Sequence, residues 1–350
     1  MAEVLDRRAY YQRQARLARR AAARASKAWS TIDTGSINAS WRAAVPVLLT
    51  QLVDAQTEAA ATAATAPAMA GEAPASLLPD AFAGLAADGR GLDTLLELPV
   101  RTTLQRIGQG LPPARAMRAG QLQLVRIIRT EVADTARTAA QAAITATPAI
   151  VGYERIVVPP ACARCVSLAG RLYPWNAGFL RHPGCDCQHR AVTRDQWRND
   201  NRGNTPERLV AQMTPAQLRK GGFSDADQKA LAMGADVGQL VNARRGAAGM
   251  APPGGRLTAE ERLLAQNGRG RGRVTPVQIS GRDLYVTTEG TTTRGLAGVR
   301  LGARQATGRR PGDRYRRATA PRLLPQSIFQ IAGNDRDEAV RLLQRNGYIH

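Results

Sequence analysis

All four cysteines of the chain and one of its three histidines fall within one stretch, CARCVSLAGRLYPWNAGFLRHPGCDC (162–187). A CxxC pair opens it, and an HPxCxC segment closes it after 16 intervening residues. A structural Zn²⁺ site needs four sulfur or nitrogen donors at about 2.0–2.3 Å, and a CxxC turn supplies two of them. The spacing predicts a structural zinc knuckle, with zinc as the cofactor, held by four of the five residues Cys162, Cys165, His182, Cys185 and Cys187.

The sequence is compatible with two sets of four zinc ligands. Cys185 and Cys187 together complete a Cys₄ site, whereas His182 with one of them completes a Cys₃His site. His189 is a further candidate of lower rank. A catalytic zinc keeps one position for water and needs a carboxylate base nearby, and Asp186 is the only acid inside the stretch. The pattern therefore favours a structural ion over a catalytic one, and over a pair of disulfides.

Other catalytic chemistry has few residues to use. The chain contains neither GxSxG nor HExxH, and its remaining histidines are His189 and His350. A Ser–His–acid set would have to join His189 to Ser167, the nearest serine in sequence. We therefore predict no catalytic residue, and proteolysis stays open as the alternative.

The charge of the chain favours a polyanionic neighbour. The net charge is +21 and the isoelectric point about 11.2, although an arginine-rich genome would produce the same bias. No apolar run is long enough to span a bilayer and no signal peptide follows Met1, so no membrane partner is expected. Two Gly/Arg-rich runs are typical either of nucleic-acid-binding segments or of mobile loops, and their candidate contact residues are Arg269, Arg271, Arg273, Arg309, Arg310, Arg316 and Arg317.

The elements that must position the cysteines belong to an α+β, mainly helical fold. Aromatic residues make up only 4% of the chain, which favours helices packed through small residues. A basic helix is expected first, and after the break DTGS (33–36) a second helix should run from about Trp41 to Ala63. A long helix up to Pro148 should turn to the core the stripe Leu122, Val125, Ile128, Val132, Ala136, Ala139 and Ala143.

Strands and further helices follow this long helix. GYERIVVPP (152–160) predicts a strand and RAVT (190–193) a short returning one. Thr214 before Pro215 and Ser224 three residues before Asp227 predict two helix starts, and Asn334 is predicted to cap a C-terminal helix. The domain boundaries expected are 1–113, basic and helical with a linker near 64–82; 114–195, a long helix, a strand and the knuckle; 196–250, a helical extension; 251–322, mobile and Gly/Arg-rich with a hairpin at 274–293; and 323–350, the C-terminal helix.

The chain resembles the Mu F-type phage head morphogenesis family, whose members carry an RTE-containing helix, a CxxC and a closing HPxCxC. The matching positions outside the cysteine stretch are Arg129, Thr130 and Glu131. Residues 115–192 carry the F-type core, and blocks at 233–246, 286–295 and 337–349 look like minor capsid proteins of tailed phages that infect actinobacteria. Glu131 by itself is interpreted as a structural ion pair or a packed polar contact.

The resemblance implies a minor capsid protein that acts near the portal vertex in procapsid assembly. Its implied partners are the portal protein and the major capsid or scaffold proteins, with packaged DNA as a further candidate. Its implied location is the virion, in the capsid interior or at the portal vertex, and the host cytoplasm during assembly. Relatives of this type are often labelled capsid maturation proteases, so that a structural head protein and a protease are the two function classes to separate.

Overall fold

The computed structural model describes residues 6–178, 181–182, 184–185, 187–199, 205–244, 274–279, 282–289 and 317–349. The chain divides into two compact units, Met1–Val158 with Gly170–Gly203, and Pro159–Ala169 with Asn204–His350. Helices dominate, and two small antiparallel sheets accompany them, which confirms the predicted α+β, mainly helical class. Within the described ranges, no helix is both long and apolar enough to cross a membrane.

Helices form most of the first unit: α1 (Arg7–Ser30), α2 (Ile37–Ala63), α3 (Leu92–Leu96), α4 (Leu98–Gly108), α5 (Pro113–Thr145) and α7 (Arg194–Arg198). Asp6 caps α1 by accepting a hydrogen bond from the Ala9 amide. The predicted break after α1 is an Asx turn, in which Asp33 accepts hydrogen bonds from the Gly35 amide and the Ser36 hydroxyl. Helix α2 begins at Ile37, four residues before the predicted start, and contains Pro46 in its third turn. Between α2 and α3 the chain is irregular apart from two 3₁₀ turns, Ala66–Ala70 and Pro79–Phe82.

Alanines make up much of the buried faces of α1, α2 and α5, and these faces are called the alanine seams. Most of the predicted stripe on α5 is buried as expected, from Ile128 to Ala143. Leu122 is an error in that prediction, because 55% of its surface is exposed and Leu124 is buried instead. The six residues from 122 to 128 rotate the helix by about 600°, which leaves Leu122 about 120° from the buried face. The buried alanines of these helices are Ala15, Ala18, Ala21, Ala22, Ala25, Ala59, Ala60, Ala63, Ala116, Ala133, Ala136, Ala139, Ala140 and Ala143.

The sheet of the first unit frames the cysteine stretch. Its strands are β1 (Ile150–Ile156), β2 (Leu172–Pro174) and β3 (Gln188–Thr193), in the antiparallel order β2-β1-β3. The two predicted strands are therefore present, and β2 lies in the chain between the two cysteine motifs. Backbone hydrogen bonds from the Arg155 amide to the Arg171 carbonyl and from the Gly170 amide to the Arg155 carbonyl close the base of the β1–β2 loop.

The second unit contains short helices and a second sheet. Its helices are α6 (Ala163–Val166), α8 (Pro206–Ala211), α9 (Pro215–Gly221), α10 (Asp225–Ala232), α11 (Val237–Ala243), α12 (Pro325–Ala332) and α13 (Arg336–Arg345). The sheet has the antiparallel order β4-β5-β6, with strands β4 (Val274–Ile279), β5 (Arg282–Glu289) and β6 (Arg317–Leu323). The β4–β5 pair is the predicted hairpin, whereas β6 was expected to be part of a loop.

The caps of the second unit test the sequence signals for helix starts. Thr214 caps α9 and Ser224 forms a capping box with Asp227 at the start of α10, both as predicted. At the last helix the prediction was wrong by one residue, because Asp335 and not Asn334 accepts the hydrogen bond from the Glu338 amide. A carboxylate also suits the positive end of the helix dipole better than an amide does.

Gly120 of α5 lies close to side chains of α1 and α4, which provides a test of the packing in the first unit. A Cβ atom at Gly120 would lie 2.5 Å from Trp29 Cζ2 and would also collide with the Thr103 hydroxyl, and Trp29 is itself packed edge-on against Trp41. We expect Gly120→Ala to lower the free energy of unfolding by about 1–3 kcal/mol through overpacking. Chemical denaturation followed by circular dichroism measures the change.

The matched control for this substitution is Gly108→Ala. Gly108 is also helical, and a Cβ atom there would meet nothing within 4 Å. Since alanine is the better helix former, this control should be neutral or stabilising by up to about 1 kcal/mol. Equal effects of the two substitutions would contradict the tight packing at Gly120.

Candidate metal centre

The CxxC pair lies at the start of α6. Cys162 is the N-cap residue of this helix, and its Sγ accepts a hydrogen bond from the Cys165 amide at 3.4 Å. A helix N-terminus lowers the pKa of a thiol because backbone N–H groups and the helix dipole favour the thiolate. The local fold therefore presents both sulfurs from one tight turn, as a metal site requires.

The structure brings all five predicted ligands into one cluster. The ligand atoms of Cys162, Cys165 and His182 lie within 4.8 Å of one another, and so do the sulfurs of Cys165, Cys185 and Cys187. None of the four cysteines, all of which the structure describes, forms a disulfide, and three of them are buried. The cluster can therefore hold a metal ion.

The donor set suits zinc. Thiolate sulfur and imidazole nitrogen are the ligands of structural Zn²⁺, and in a tetrahedron with bonds of about 2.3 Å the sulfurs lie about 3.8 Å apart. The ligand atoms of each group lie within 4.8 Å of one another, and the sulfurs of Cys185 and Cys187 are 2.8 Å apart. Binding would require these two sulfurs to separate by about 1 Å.

Helix α5 holds the HPxCxC segment through the RTE motif. The Thr130 hydroxyl accepts a hydrogen bond from the Gly184 amide at 2.8 Å and donates to the Arg126 carbonyl at 2.7 Å. Gly184 has φ +77°, a left-handed conformation that glycine adopts without a steric cost. The middle residue of the motif is thus an anchor for the turn that carries the last two cysteines.

Arg137, two turns further along α5, binds the backbone of both cysteines. Its guanidinium donates to the Cys185 carbonyl at 3.1 Å and to the Cys187 carbonyl at 2.9 Å, and the residue is 4% exposed. Asp134 pairs with this guanidinium and also with that of Arg181. The carboxylate of Asp134 raises the pKa of Arg181, so this group keeps its charge. This buried cation holds the backbone of Cys185 and Cys187 in one turn and leaves their side chains able to adjust.

Arg155 approaches one sulfur directly. It is 1% exposed on β1, and its Nη2 donates to Cys185 Sγ at 3.7 Å. The guanidiniums of Arg137, Arg155 and Arg181 therefore lie near Cys185 and Cys187, and Asp134 pairs with two of them. Positive charge near a thiol favours the thiolate that binds metal.

Glu131, the last residue of the RTE motif, makes a packed polar contact and has no ion pair with any residue that the structure describes. Its carboxylate accepts a hydrogen bond from the Ala87 amide at 2.9 Å, 44 residues away in the chain. Burial raises the pKa of Glu131, against the opposite effect of the Ala87 hydrogen bond. Of the two interpretations of Glu131 made from the sequence, the packed polar contact therefore fits.

The remaining candidates lie elsewhere. His189 is buried on β3, its ring 4.2 Å from that of Tyr153, and burial followed by the charge of Arg137 lowers its pKa to about 3. It belongs to neither of the two clustered ligand groups. The Ser167 hydroxyl donates to the Arg164 carbonyl in the same turn.

Several predicted residues fall outside the described part of the chain. These are His350, Asp186 and the nucleic-acid candidates Arg269, Arg271, Arg273, Arg309, Arg310 and Arg316, while Arg317 is the first residue of β6 and its side chain is not described. Sequence analysis in turn missed Asp134, Arg137 and Arg155. The first two are spaced i, i+3 on a helix otherwise rich in alanine, which is a weak signal of an ion pair.

Comparison with known proteins gives one family. A family model described as VG15 protein matches residues 1–216, more than half of the 350-residue chain. The matched region contains α1 to α5, the first sheet and all five clustered ligands. Comparison with curated proteins and with solved structures finds no match.

Arg137→Met tests the support of the centre. It removes two hydrogen bonds to the cysteine carbonyls and leaves Asp134 with one cation fewer, so we expect the chain to lose about 3–5 kcal/mol of stability. Metal affinity should fall by about 10–100-fold, as for other residues that orient metal ligands. Denaturant titration and competition with a chromophoric zinc chelator measure the two effects.

The control for Arg137 is Arg101→Met. Arg101 pairs with Glu97 on the surface, with more than half of each side chain exposed, so its loss should cost less than about 1 kcal/mol. A loss of stability without any change in zinc affinity at Arg137 would show that this residue supports the fold and not the metal.

Glu131 provides a pH test. Glu131→Gln keeps an acceptor for the Ala87 amide but removes a charge that burial disfavours, whereas Glu131→Ala leaves that amide unsatisfied at a cost of about 1–3 kcal/mol. Since the folded-state pKa of Glu131 is raised, its contribution to stability is full at low pH and falls as pH rises through that pKa. The melting temperature of the Gln variant, relative to that of the natural chain, should therefore rise as the pH increases above the ordinary pKa of a glutamate carboxyl. Parallel pH profiles would contradict this.

Proposed function

The chain belongs to the VG15 family of viral proteins, and from this premise we propose that it is a minor capsid protein of a tailed phage that acts in head morphogenesis. It is a structural component near the portal vertex during procapsid assembly. Its partners are the portal protein and the major capsid or scaffold proteins. Its place is the virion, in the capsid interior or at the portal vertex, and the host cytoplasm before assembly is complete.

One observation carries the proposal. The two halves of the F-type pattern, which lie about 50 residues apart in the chain, are in direct contact, because Thr130 of the RTE motif binds the Gly184 amide of HPGCDC. The neighbouring Arg137 holds the carbonyls of Cys185 and Cys187 in the same turn. A chance likeness of scattered motifs gives no reason for these contacts. Their presence supports a shared F-type core.

The ion we propose for the cluster is a structural zinc. It ties the CxxC turn to the HPxCxC turn in a part of the chain with few large apolar side chains. A Zn²⁺ with four thiolates carries a net charge of −2, and with three thiolates and an imidazole −1. The guanidiniums of Arg137, Arg155 and Arg181 lie near the cysteines, and this positive setting favours the more negative of the two sets. We therefore assign the Cys₄ set, with His182 beside it.

A capsid maturation protease is the other function class, and no specific observation favours it. The Ser167 hydroxyl is occupied by the Arg164 carbonyl, and the buried imidazole of His189 has a pKa far below that of a useful base. Analysis of purified procapsids distinguishes a structural head protein from a protease.

Assembly tests the proposed role. Procapsids produced by coexpression of portal, scaffold and major capsid proteins with the chain are expected to contain it in few copies, next to the portal, when imaged by electron cryomicroscopy. A Cys162→Ser/Cys165→Ser variant should be incorporated poorly, whereas Ser167→Ala, in the same turn, should be incorporated normally.

Two results would overturn the role. One is the absence of the natural chain from purified procapsids or its even distribution over the shell. The other is a trimmed major capsid protein whose trimming stops in the Ser167→Ala variant, which would replace the structural role by the protease.

The ligand set has its own measurement. The purified chain should contain about one equivalent of zinc, and after exchange with Co²⁺ the intensity of the sulfur-to-metal charge-transfer band should report four thiolates. His182→Ala should leave this band unchanged and Cys187→Ser should weaken it. A weaker band in the histidine variant would favour the Cys₃His set, and a metal content near zero would remove the site.

A further inference from the structure

The exposed face of α1 carries an uninterrupted row of cations. Steps of three and four residues bring side chains to one side of a helix, and all members of the row are exposed. After the cap residue Asp6, the helix contains no acidic residue. The row is Arg13, Arg16, Arg20, Arg24 and Lys27.

The opposite face of α1 packs against the rest of the first unit. Tyr10, Leu17 and Trp29 are buried, and the Trp29 Nε1–H donates to the Met117 carbonyl at 3.0 Å. Gln14 likewise donates to the Ala59 carbonyl. What α1 presents outward is therefore charge, without the aromatic or aliphatic anchors that form the core of protein–protein interfaces.

Little within the described structure neutralises the row. The ion pair of Arg20 with Glu58 spans 3.1 Å, with more than half of each side chain exposed, so it is worth little. No other member has an ion pair among the residues that the structure describes. Like charges at i, i+4 destabilise a helix, and a bound polyanion would reverse this effect.

We propose that the exposed face of α1 binds the phosphate backbone of duplex DNA without sequence preference. The row from residue 13 to residue 27 is about 21 Å long, a length over which duplex DNA presents about twelve phosphates on its two strands. Guanidinium groups bind phosphate oxygens bidentately, which explains why the row uses arginine at four of its five positions. This interaction goes beyond the proposed role in the head, since it depends only on the charge of α1.

The test compares two variants with the same loss of charge. One replaces Arg13, Arg16, Arg20 and Arg24 by Gln, and the other replaces Arg101, Arg106, Arg115 and Arg118, exposed arginines of α4 and α5, by Gln. Binding of the full chain to labelled duplexes of AT-rich and GC-rich sequence is measured by fluorescence anisotropy at several salt concentrations. Glutamine is a good helix former, and circular dichroism verifies that both variants fold.

The α1 variant should lower the slope of log K against log salt by about 3–4, because each phosphate contact contributes about 0.9, and the control should change it by less than about 1. Equal losses in both variants, an unchanged slope in the α1 variant or a strong preference for one sequence would overturn the proposal. So would binding of poly-glutamate as tight as that of DNA at equal ionic strength, since α1 would then take an acidic protein surface.

Discussion

A buried guanidinium is the interaction on which the middle of the molecule depends. Arg137 is taken out of water on an alanine-rich helix, and its charge is matched by Asp134 on one side and by two peptide carbonyls on the other. Burial of an unpaired charge costs so much free energy that the Arg137 guanidinium is restricted to the position where these partners surround it. The position of α5 therefore determines the position of the turn with Cys185 and Cys187, even before a metal binds. The ion would then connect two turns. One is the turn of Cys185 and Cys187, which Arg137 already holds, and the other is the CxxC turn at the N-terminus of α6.

Sequence reasoning succeeded where local spacing controls the outcome. The CxxC and HPxCxC spacings pointed to residues that the structure groups closely enough to hold a metal ion. Thr214 and Ser224 marked helix starts because a cap interacts with residues only three positions away. Sequence reasoning failed where a side chain contacts a residue that is distant in the sequence. That Glu131 binds the Ala87 amide, or Thr130 the Gly184 amide, depends on how whole elements pack, which no local pattern contains. Leu122 was misplaced for a related reason, because alanine-rich helices have a weak apolar stripe and small errors of phase turn a residue outward.

The charge of the chain has two separate roles in the structure. Buried arginines, such as Arg137 and Arg155, each meet a defined partner and organise the cysteine turn. Exposed arginines on α1 have few partners within the fold and define the outer character of the first unit. A net charge of +21 describes both sets in one number and conceals the difference between them. Burial, and not composition, separates the arginines that build the molecule from those available to something outside it.

The alanine seams between α1, α2 and α5 have a thermodynamic consequence. Each buried alanine removes little apolar surface from water, so the first unit should unfold with a smaller heat-capacity increment than the usual value of about 12–15 cal/mol/K per residue. A small increment flattens the curve of stability against temperature. The helices would then be only modestly stable at any one temperature, yet would keep that stability over a wide thermal range, from cold surroundings to a warm host cell.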